Sequence, residues 1–315
     1  MRRILCVALA FAAALLALIP FVGRWSPTLD ALASFLPLAA PLAIAALLLN
    51  RRAPATALLA GAALIVTLSL VAAEWWAGPK PAQAEGEQLV IVTHNLWDAN
   101  TRPESTANAL IATGADILLL QEYRGASPAT RALLARHFPF HSGCRTTCDL
   151  AIYSRLPMDR PRWRFRDMND EPFGPPLLWG RVHLPGGETA TVISIHQPWP
   201  VPGAGQQENR RALVSAIGQM DDPRLILAGD FNLTPWGAGM AELDDGMPQL
   251  RRVTRALFSF PARTGHDEWP VPVLPIDHVF VGRGWSPVDV ERLGRTGSDH
   301  YPVRAVLALR QAASD

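Results

Sequence analysis

Hydrophobic residues are concentrated at the start of the chain, in three uncharged runs at about residues 4–22, 31–49 and 53–73. Each run has about 20 residues, which as a helix is long enough to cross a hydrocarbon core of about 30 Å. A buried helical core is the alternative, but the helices of soluble proteins carry a polar face that these runs lack. The pattern therefore predicts that residues 1–77 form a membrane anchor of three transmembrane helices.

The arginines of this anchor predict its orientation. Arg2 and Arg3 precede the first apolar run, and Arg51 and Arg52 lie between the second and the third. Positively charged segments beside membrane helices stay on the cytoplasmic side. Everything after Glu74 is then expected on the outer face, which predicts a multi-pass protein of a bacterial inner membrane with a periplasmic or extracytoplasmic domain.

A cleaved signal peptide is the alternative interpretation of the first run, because its start is charged. No clear small-residue cleavage site follows Pro20, however, and two more apolar runs come after it. After the anchor, residues 78–88 are mostly polar and contain prolines, which is typical of a short linker.

Beyond the linker, short apolar runs alternate with polar turns over residues 89–310, which have the length of a single domain. Runs rich in valine and isoleucine predict strands at Leu89–Thr93, Ile117–Gln121, Leu150–Tyr153, Thr191–Ile195, Leu225–Ala228, His278–Val281 and Val303–Leu309. Helical patterns lie at Glu104–Thr113, Pro128–Arg136 and Gln206–Met220. The mixture predicts an α/β domain. A composition of 49% hydrophobic and 18% charged residues excludes a disordered chain.

Polar side chains cluster at the ends of the predicted strands. They are Asn95, Glu122, His196, Asp230, Asn232, Asp277, Asp299 and His300. Ligands and catalytic groups of α/β folds gather at strand ends, where loops converge. Carboxylates are oxygen ligands suited to Mg²⁺ or Mn²⁺, and histidines and amides suit phosphate binding and proton transfer. Each residue alone could equally be a turn residue, a helix cap or a structural histidine, so the argument rests on their joint occurrence.

The order of these motifs resembles the endonuclease/exonuclease/phosphatase superfamily. The matching positions are Asn95, QE at 121–122, AIYSR at 151–155, His196, GDFN at 229–232, Asp277 and SDH at 298–300. The resemblance implies a DNase I-like four-layer sandwich, in which two packed mixed β-sheets are flanked by helices, here preceded by three transmembrane helices. It also implies metal-dependent cleavage of a P–O bond. The combination of a few N-terminal spans with this domain is similar to bacterial membrane phosphatases associated with glycopeptide resistance.

The same resemblance implies a metal site. Glu122 would be the main ligand of Mg²⁺ (or Mn²⁺), Asp299 would help to hold the ion, and Asn95 would belong to the metal-bound network.

The resemblance also implies roles in the attack of water on phosphorus. Asp230 would position or deprotonate the water, and His300, oriented by Asp277, would act as a base or as a partner of the phosphate. Asn232 and His196 would bind the phosphate and stabilise charge in the transition state. Which of Asp230 and His300 takes the proton stays open at this point.

Two features depart from the superfamily pattern. His278 follows Asp277 where a tyrosine or an apolar residue is common, and we expect it to be structural. The segment at 148–150 stands where apurinic endonucleases have an active-site tyrosine, which argues against a close match to those enzymes.

Cys144 and Cys148 form a CRTTC pair in the same region. In an oxidising compartment this spacing could close a small disulfide loop. Half of a zinc site is a second possibility, although no second ligand pair lies nearby, and two free thiols are a third.

The charge balance bears on the substrate. The residues after 78 carry 24 basic and 26 acidic side chains, so the broad basic surface of a nucleic-acid enzyme is absent from the composition. Attachment to the bilayer favours a membrane lipid or a lipid-linked phosphate or pyrophosphate, and no protein partner is implied. An extracytoplasmic nuclease or a phospholipid phosphodiesterase is the alternative, and a catalytically silent binding module is the least favoured. Trp199, Trp236, Trp269 and Trp285 fall in predicted loops, where they could contact lipid or simply pack.

Overall fold

The computed structural model describes residues 1–50, 53–78, 86–144, 148–201, 204–265 and 267–310. Its first part is helical. The helices are α1 (Arg2–Val22), α2 (Pro27–Leu32), α3 (Ala39–Leu49) and α4 (Pro54–Trp76), with 3-10 helices at Gly23–Trp25 and Ala33–Leu38. Among the described residues, three helical segments are long and apolar enough to cross a membrane: Arg2–Trp25, Pro27–Leu49 and Pro54–Trp76. The predicted linker falls mainly in residues 79–85, outside the described residues.

The three segments pack through small side chains. The buried cluster between them consists of alanines, at positions 10, 13, 17, 43, 46, 60 and 63. Large apolar residues such as Phe11, Leu15 and Leu58 point outward and are more than half exposed. A soluble bundle would bury its large side chains, whereas membrane helices use small residues at their contacts and place large ones against lipid. The packing is therefore that of candidate membrane helices.

The second part of the chain is a layered α/β domain. Its helices are α5 (Pro103–Ala112), α6 (Pro128–His137), α7 (Ala204–Ile217) and α8 (Ala238–Gly246). Its strands are β1 (Gln88–Asn95), β2 (Ile117–Gln121), β3 (Phe140–Cys144), β4 (Leu150–Ser154), β5 (Arg162–Arg166), β6 (Pro172–His183), β7 (Thr189–His196), β8 (Ile226–Asp230), β9 (Leu250–Arg252), β10 (Arg263–Thr264), β11 (Asp267–Glu268), β12 (Asp277–Gly282), β13 (Trp285–Arg292) and β14 (Val303–Leu309).

Two six-stranded sheets form the centre of this domain. Their strand orders are β13-β14-β1-β2-β4-β3 and β5-β6-β7-β8-β12-β9. Both sheets are mixed, because β1 pairs parallel with β2 and β7 parallel with β8 while the other neighbours are antiparallel. Apolar residues of both sheets meet in one core cluster. The outer face of the first sheet packs on α5 and α6, and that of the second on α7 and α8. The expected four-layer sandwich is confirmed.

The seven predicted strands and three predicted helices of the domain are all present, with ends shifted by a few residues. The sequence patterns did not reveal β3, β5, β6, β9, β13, the β10–β11 hairpin or α8. Two of the four tryptophans placed in loops are buried instead. Trp285 begins β13 and is 1% exposed, and Trp236 packs beside Ala33 and Leu36 of the second helical segment.

Candidate active site

The strand pairing brings the predicted site residues to one end of the sandwich. Because β7 and β8 are parallel and in register, His196 lies opposite Asp230 at the ends of the two strands. The antiparallel strand β12 begins at the same end, so that Asp277 also pairs with Asp230. In the other sheet Asn95 ends β1, and Glu122 follows β2 directly. The sandwich thus gathers residues that are up to about 180 positions apart in sequence.

The centre of the site is an acid–histidine cluster formed by Asp277, His300 and Asp230. His300 Nδ1 donates to Asp277 Oδ2 at 2.8 Å, and its Nε2 lies 3.6 Å from Asp230 Oδ2. All three side chains are buried. Since ionised carboxylates only accept hydrogen bonds, the contact with Asp277 favours a proton on Nδ1, and the nearby Asp230 favours a second proton on Nε2.

The electrostatics of the cluster agree with this protonation. Burial by itself would lower the pKa of His300, but the charges of Asp277 and Asp230 and the hydrogen bond from Nδ1 outweigh burial and raise it to about 10. Burial would likewise raise the pKa of Asp277, but the charge and hydrogen bond of His300 hold it below its ordinary value. Burial raises the pKa of Asp230, against the opposing effect of His300. The ligand atoms of Asp230, Asp277 and His300 also lie close enough together to hold a metal ion.

Asn95 connects this cluster to the second group of acids. Its Nδ2 donates to Glu122 Oε1 at 3.0 Å and to Asp230 Oδ2 at 3.1 Å, while its Oδ1 accepts the Trp97 amide at 2.9 Å. The second Glu122 oxygen accepts the amide of Asp98 at 2.7 Å. Asn95 thus links Glu122, which follows a strand of the first sheet, to Asp230, which ends a strand of the second sheet.

The donor set around Glu122 and Asp299 fits a hard divalent cation. Burial raises the pKa of Asp299 to about 6; His300 opposes this rise, whereas Glu122 and Asp230 add to it. Carboxylates that repel one another in a partly buried site are a good environment for a cation, and oxygen donors suit Mg²⁺ or Mn²⁺. Glu122 and Asp299 are the residues here that would hold the ion, with Asn95 beside them.

Asn232 and His196 lie on the other side of Asp230. The backbone N–H of Asn232 donates to Asp230 Oδ1 at 2.9 Å. The side-chain Nδ2 of Asn232 donates to the carbonyl of Gln197 at 2.9 Å. His196 Nε2 is 3.5 Å from Asp230 Oδ2, and its side chain is 23% exposed. His196 therefore faces the opening of the site, whereas His300 closes its floor.

Left-handed backbone occurs at two of the site residues and at a third position close to Asn95. Glu122 and Asn232 both have a φ of +49°, and Trp97 has a φ of +62°. A left-handed backbone is uncommon for residues other than glycine and costs free energy, least for asparagine. At Glu122 and Asn232 this backbone turns the chain sharply after a strand and leaves the side chains beside Asn95 and Asp230.

Several supporting residues carry no motif that would have revealed them. Ser298 Oγ donates to the Asn95 carbonyl at 2.7 Å and accepts the His300 amide at 3.0 Å. The Asp277 amide donates to Ser259 Oγ at 3.4 Å, and the ring of Phe260 lies 4.8 Å from that of His300. The only sequence signal was for Ser298, whose position in SDH directly precedes two predicted site residues.

Two further predictions concern residues at the margin of the site. His278 is buried and uses both ring nitrogens, toward the Leu233 carbonyl at 2.9 Å and Thr254 Oγ1 at 3.2 Å, which is the geometry of a structural residue. Cys144 and Cys148 are joined as a disulfide, with a Cα–Cα distance of 5.6 Å.

A buried histidine between two carboxylates, beside an acidic oxygen site at one end of a β-sandwich, supplies the groups that metal-assisted hydrolysis of a phosphoester needs. The sequence model of the Endonuclease/Exonuclease/phosphatase family matches residues 92–300. The chain belongs to this family, in which dependence on a divalent metal is typical.

Several solved structures have a similar fold. An endonuclease/exonuclease/phosphatase protein from Beutenbergia cavernae has a TM-score of 0.57 at 19% identity, over 72% of this chain and 73% of that one. Sphingomyelinase C from Streptomyces griseocarneus has a TM-score of 0.51 at 17% identity, over 71% and 100%. A variant of beta toxin from Staphylococcus aureus with bound magnesium ions has a TM-score of 0.50 at 15% identity, over 70% and 99%. At these identities the likeness shows the fold alone. A search of curated protein sequences found no significant match.

Proposed function

We propose that the protein is a membrane-anchored, Mg²⁺-dependent phosphohydrolase that acts on a lipid-linked phosphate or pyrophosphate at the outer face of a bacterial inner membrane. One observation carries the proposal. The loop after β8 holds Asp230 and Asn232 at its start, and at its other end Trp236 Nε1 donates to the Ala33 carbonyl of a candidate membrane helix at 2.6 Å. The active site therefore lies one short loop from the anchor, which favours a substrate whose phosphate is at the membrane surface.

The residues of the site divide the work of hydrolysis between them. Glu122 and Asp299, with Asn95 beside them, would hold the metal ion, which when bound polarises the phosphate and neutralises negative charge. Asp230 accepts the proton of the attacking water, because burial raises its pKa and makes the carboxylate a stronger base. Burial by itself would lower the pKa of His300, but the charges of Asp277 and Asp230 raise it to about 10, so His300 serves as a cation that stabilises charge in the transition state.

The phosphate itself is bound on the open side of Asp230. His196 and Asn232 flank that carboxylate. His196 offers an N–H donor for a phosphate oxygen, and Asn232 does so when its Nδ2 exchanges the long 3.5 Å contact with Asp230 Oδ2 for the phosphate. Asp277 keeps His300 protonated and oriented through the 2.8 Å hydrogen bond. Mg²⁺ is proposed ahead of Mn²⁺ because carboxylate and water oxygens are its usual ligands in phosphate chemistry.

Phosphate release from a prenyl lipid tests the proposal. The full chain in nanodiscs is given a long-chain prenyl pyrophosphate with Mg²⁺, and inorganic phosphate is measured with an EDTA control. We expect metal-dependent release that falls at least about 100-fold in Asp230→Ala, the range for loss of a general base. Asp221→Ala, whose carboxylate forms an exposed ion pair with Arg283, is the matched control and keeps full activity.

Two results would contradict the proposal. No release from a folded, metal-binding protein would exclude the prenyl pyrophosphate, and choline phosphate release from sphingomyelin would point to a phospholipid phosphodiesterase. An active Asp230→Ala protein would overturn the assignment of the site.

The orientation has its own test. A reporter that works only outside the cytoplasm is fused after residue 310, and activity of that reporter is expected from the arginines at positions 2, 3, 51 and 52. Activity of a reporter that works only in the cytoplasm would reverse the proposed topology.

A nuclease is the second candidate, and one observation favours it. A cavity of about 160 Å³ beside Ser298 is lined by Arg102, Arg263 and Arg295, with Glu268 as the one acid. Such a group of cations beside a phosphoesterase site can hold a neighbouring phosphate of a nucleic-acid strand. Nicking of supercoiled plasmid by the wild type, weakened in Arg102→Ala and abolished in Asp230→Ala, would support this candidate. Absence of nicking at low salt would remove it.

A further inference from the structure

The anchor carries two acidic residues, and both contact the hydrolase domain. Asp30 and Glu74 are the only acids among residues 1–78. Asp30 is 7% exposed, and the side chain of Glu74 is 11% exposed. Buried carboxylates are costly unless they are paired. Their partners therefore identify where the two parts of the molecule are held together.

Asp30 binds the start of helix α8. Its Oδ1 accepts the Ala238 amide at 2.6 Å, and its Oδ2 accepts the Gly239 amide at 2.8 Å. A carboxylate at this position satisfies two amides that have no partner within the helix and interacts favourably with the helix dipole. Space is limited here, since a Cβ added to Gly239 would lie 2.7 Å from Asp30 Oδ2. The contact is close and specific.

Glu74 binds two arginines, Arg252 at the end of β9 and Arg255 in the segment that follows it. Arg252 donates to both Glu74 oxygens, at 2.9 and 3.0 Å, and Arg255 donates to Oε1 at 2.8 Å. Arg252 is itself held by Asp244 of α8 at 2.7 Å. The second contact of the anchor is therefore a buried charge network that also includes the helix capped by Asp30.

Both anchored segments continue into the active site. The first, residues 230–239, begins at Asp230 and Asn232 and ends at the two amides bound by Asp30. The second, residues 252–262, carries Ser259 and Phe260, which contact Asp277 and His300. His278 joins the two segments through the Leu233 carbonyl and Thr254 Oγ1. A displacement at either end is thereby transmitted to the groups around the phosphate.

We infer that the membrane anchor is a positioning part of the active site: Asp30 and Glu74 hold the segments at 230–239 and 252–262 in their catalytic geometry. The inference rests on the proposed function in that it takes Asp230, Asn232, Asp277 and His300 as the groups that act on phosphate. Its consequence is that the anchor raises turnover of every substrate, including one that never enters a membrane.

Kinetics and hydrogen exchange on the full chain in nanodiscs test the inference. The substrate is bis(p-nitrophenyl) phosphate, a soluble diester, so that delivery by the membrane has no part in the rate. The variants are Asp30→Ala, Asp30→Asn, which keeps one acceptor oxygen, and Glu74→Gln. The matched control is Glu188→Gln. The carboxylate of Glu188 pairs with Arg224, and Glu188 directly precedes β7, whose far end carries His196.

We expect kcat to fall by roughly 10- to 100-fold in Asp30→Ala with little change in KM, since a displacement of about 1 Å can cost about 100-fold in rate. Asp30→Asn and Glu74→Gln are expected to lie between this variant and the wild type. Amide exchange is expected to quicken from Gly239 back to Asn232, because the whole segment is loosened. The control keeps the wild-type kcat and exchange.

The inference is overturned if exchange in Asp30→Ala quickens only at Ala238 and Gly239 while kcat stays at the wild-type value, because the contact would then be a tether. Failure of the proposed function is distinguishable from this outcome. It would show as a wild type that hydrolyses no phosphoester, and exchange at Asn232 would then decide the inference by itself.

Discussion

The glycine of the GDFN motif gives the sharpest test of how the site is built. Gly229 lies beside Ile195 in the parallel pair of β7 and β8, and a Cβ added there would be 1.8 Å from the Ile195 carbonyl oxygen. Ordinary carbon–oxygen contacts are roughly 3.3 Å, so in Gly229→Ala the strands must separate by about 1.5 Å. The next residues along the two strands are Asp230 and His196, which would move with them.

We therefore expect Gly229→Ala to impair both catalysis and folding. A displacement of this size predicts a loss of about 100-fold in kcat, while overpacking of this kind costs roughly 1–3 kcal/mol in the free energy of unfolding. Both are measured on the full chain, by Mg²⁺-dependent hydrolysis of bis(p-nitrophenyl) phosphate and by thermal unfolding. Gly294→Ala is the matched control, since nothing lies within 4 Å of its added Cβ. Wild-type kcat in Gly229→Ala would refute the reasoning.

Three further predictions follow from the same geometry. Asp277→Asn should lower the pKa of His300 and reduce kcat by at least about 100-fold. The Mn²⁺ affinity, measured by calorimetry, should stay at the wild-type value. An unchanged kcat would contradict the role of the Asp277–His300 pair. Removal of divalent metal with EDTA should abolish hydrolysis reversibly. Glu122→Gln should weaken Mg²⁺ binding more than about 10-fold, and wild-type Mg²⁺ affinity in this variant would show that Glu122 is not a metal ligand. Burial lowers the pKa of His278 to about 4, below the value of 6.5 in the unfolded chain, so its contribution to stability is complete above pH 6.5 and is lost as the pH falls. The free energy of unfolding of the wild type, measured in urea, should therefore exceed that of His278→Asn by about 2 kcal/mol less at pH 5 than at pH 7. A difference that does not change with pH would show that the ring of His278 is not held neutral.

Much of the fold could be predicted because buried strands are continuous apolar runs. Strand β14 was predicted at its observed bounds, and β2 likewise, since each lies at the centre of a sheet and is apolar on both faces. Strand β5 (RWRFR) was not predicted, because it is an edge strand whose charged side chains face solvent. Strands β6 and β13 contain prolines, which local patterns associate with loops.

The candidate site was predictable residue by residue but not as an arrangement. Each of the eight predicted side chains lies at the expected end of the sandwich. The supporting residues Ser259 and Phe260 were missed, because nothing in their local sequence distinguishes them from ordinary turn residues, and Ser298 was recognised only as part of the SDH motif, without a role. Their contacts depend on chain segments that are distant in sequence, such as the bond from Ser298 to Asn95, 203 positions apart.

The sequence by itself determined the apolar helices, the buried strands and the inventory of acids, amides and histidines, because burial of a helix or strand depends on the residues within that element. Only the tertiary structure decided that the pKa of His300 is raised, since the pKa of a buried group depends on the carboxylates that surround it. The tertiary structure also decided that Asp30 and Glu74 belong to the hydrolase domain as much as to the anchor. In the local sequence these two acids only interrupt an apolar segment. Their role depends on hydrogen-bond partners that lie about 180 to 210 residues away in the chain.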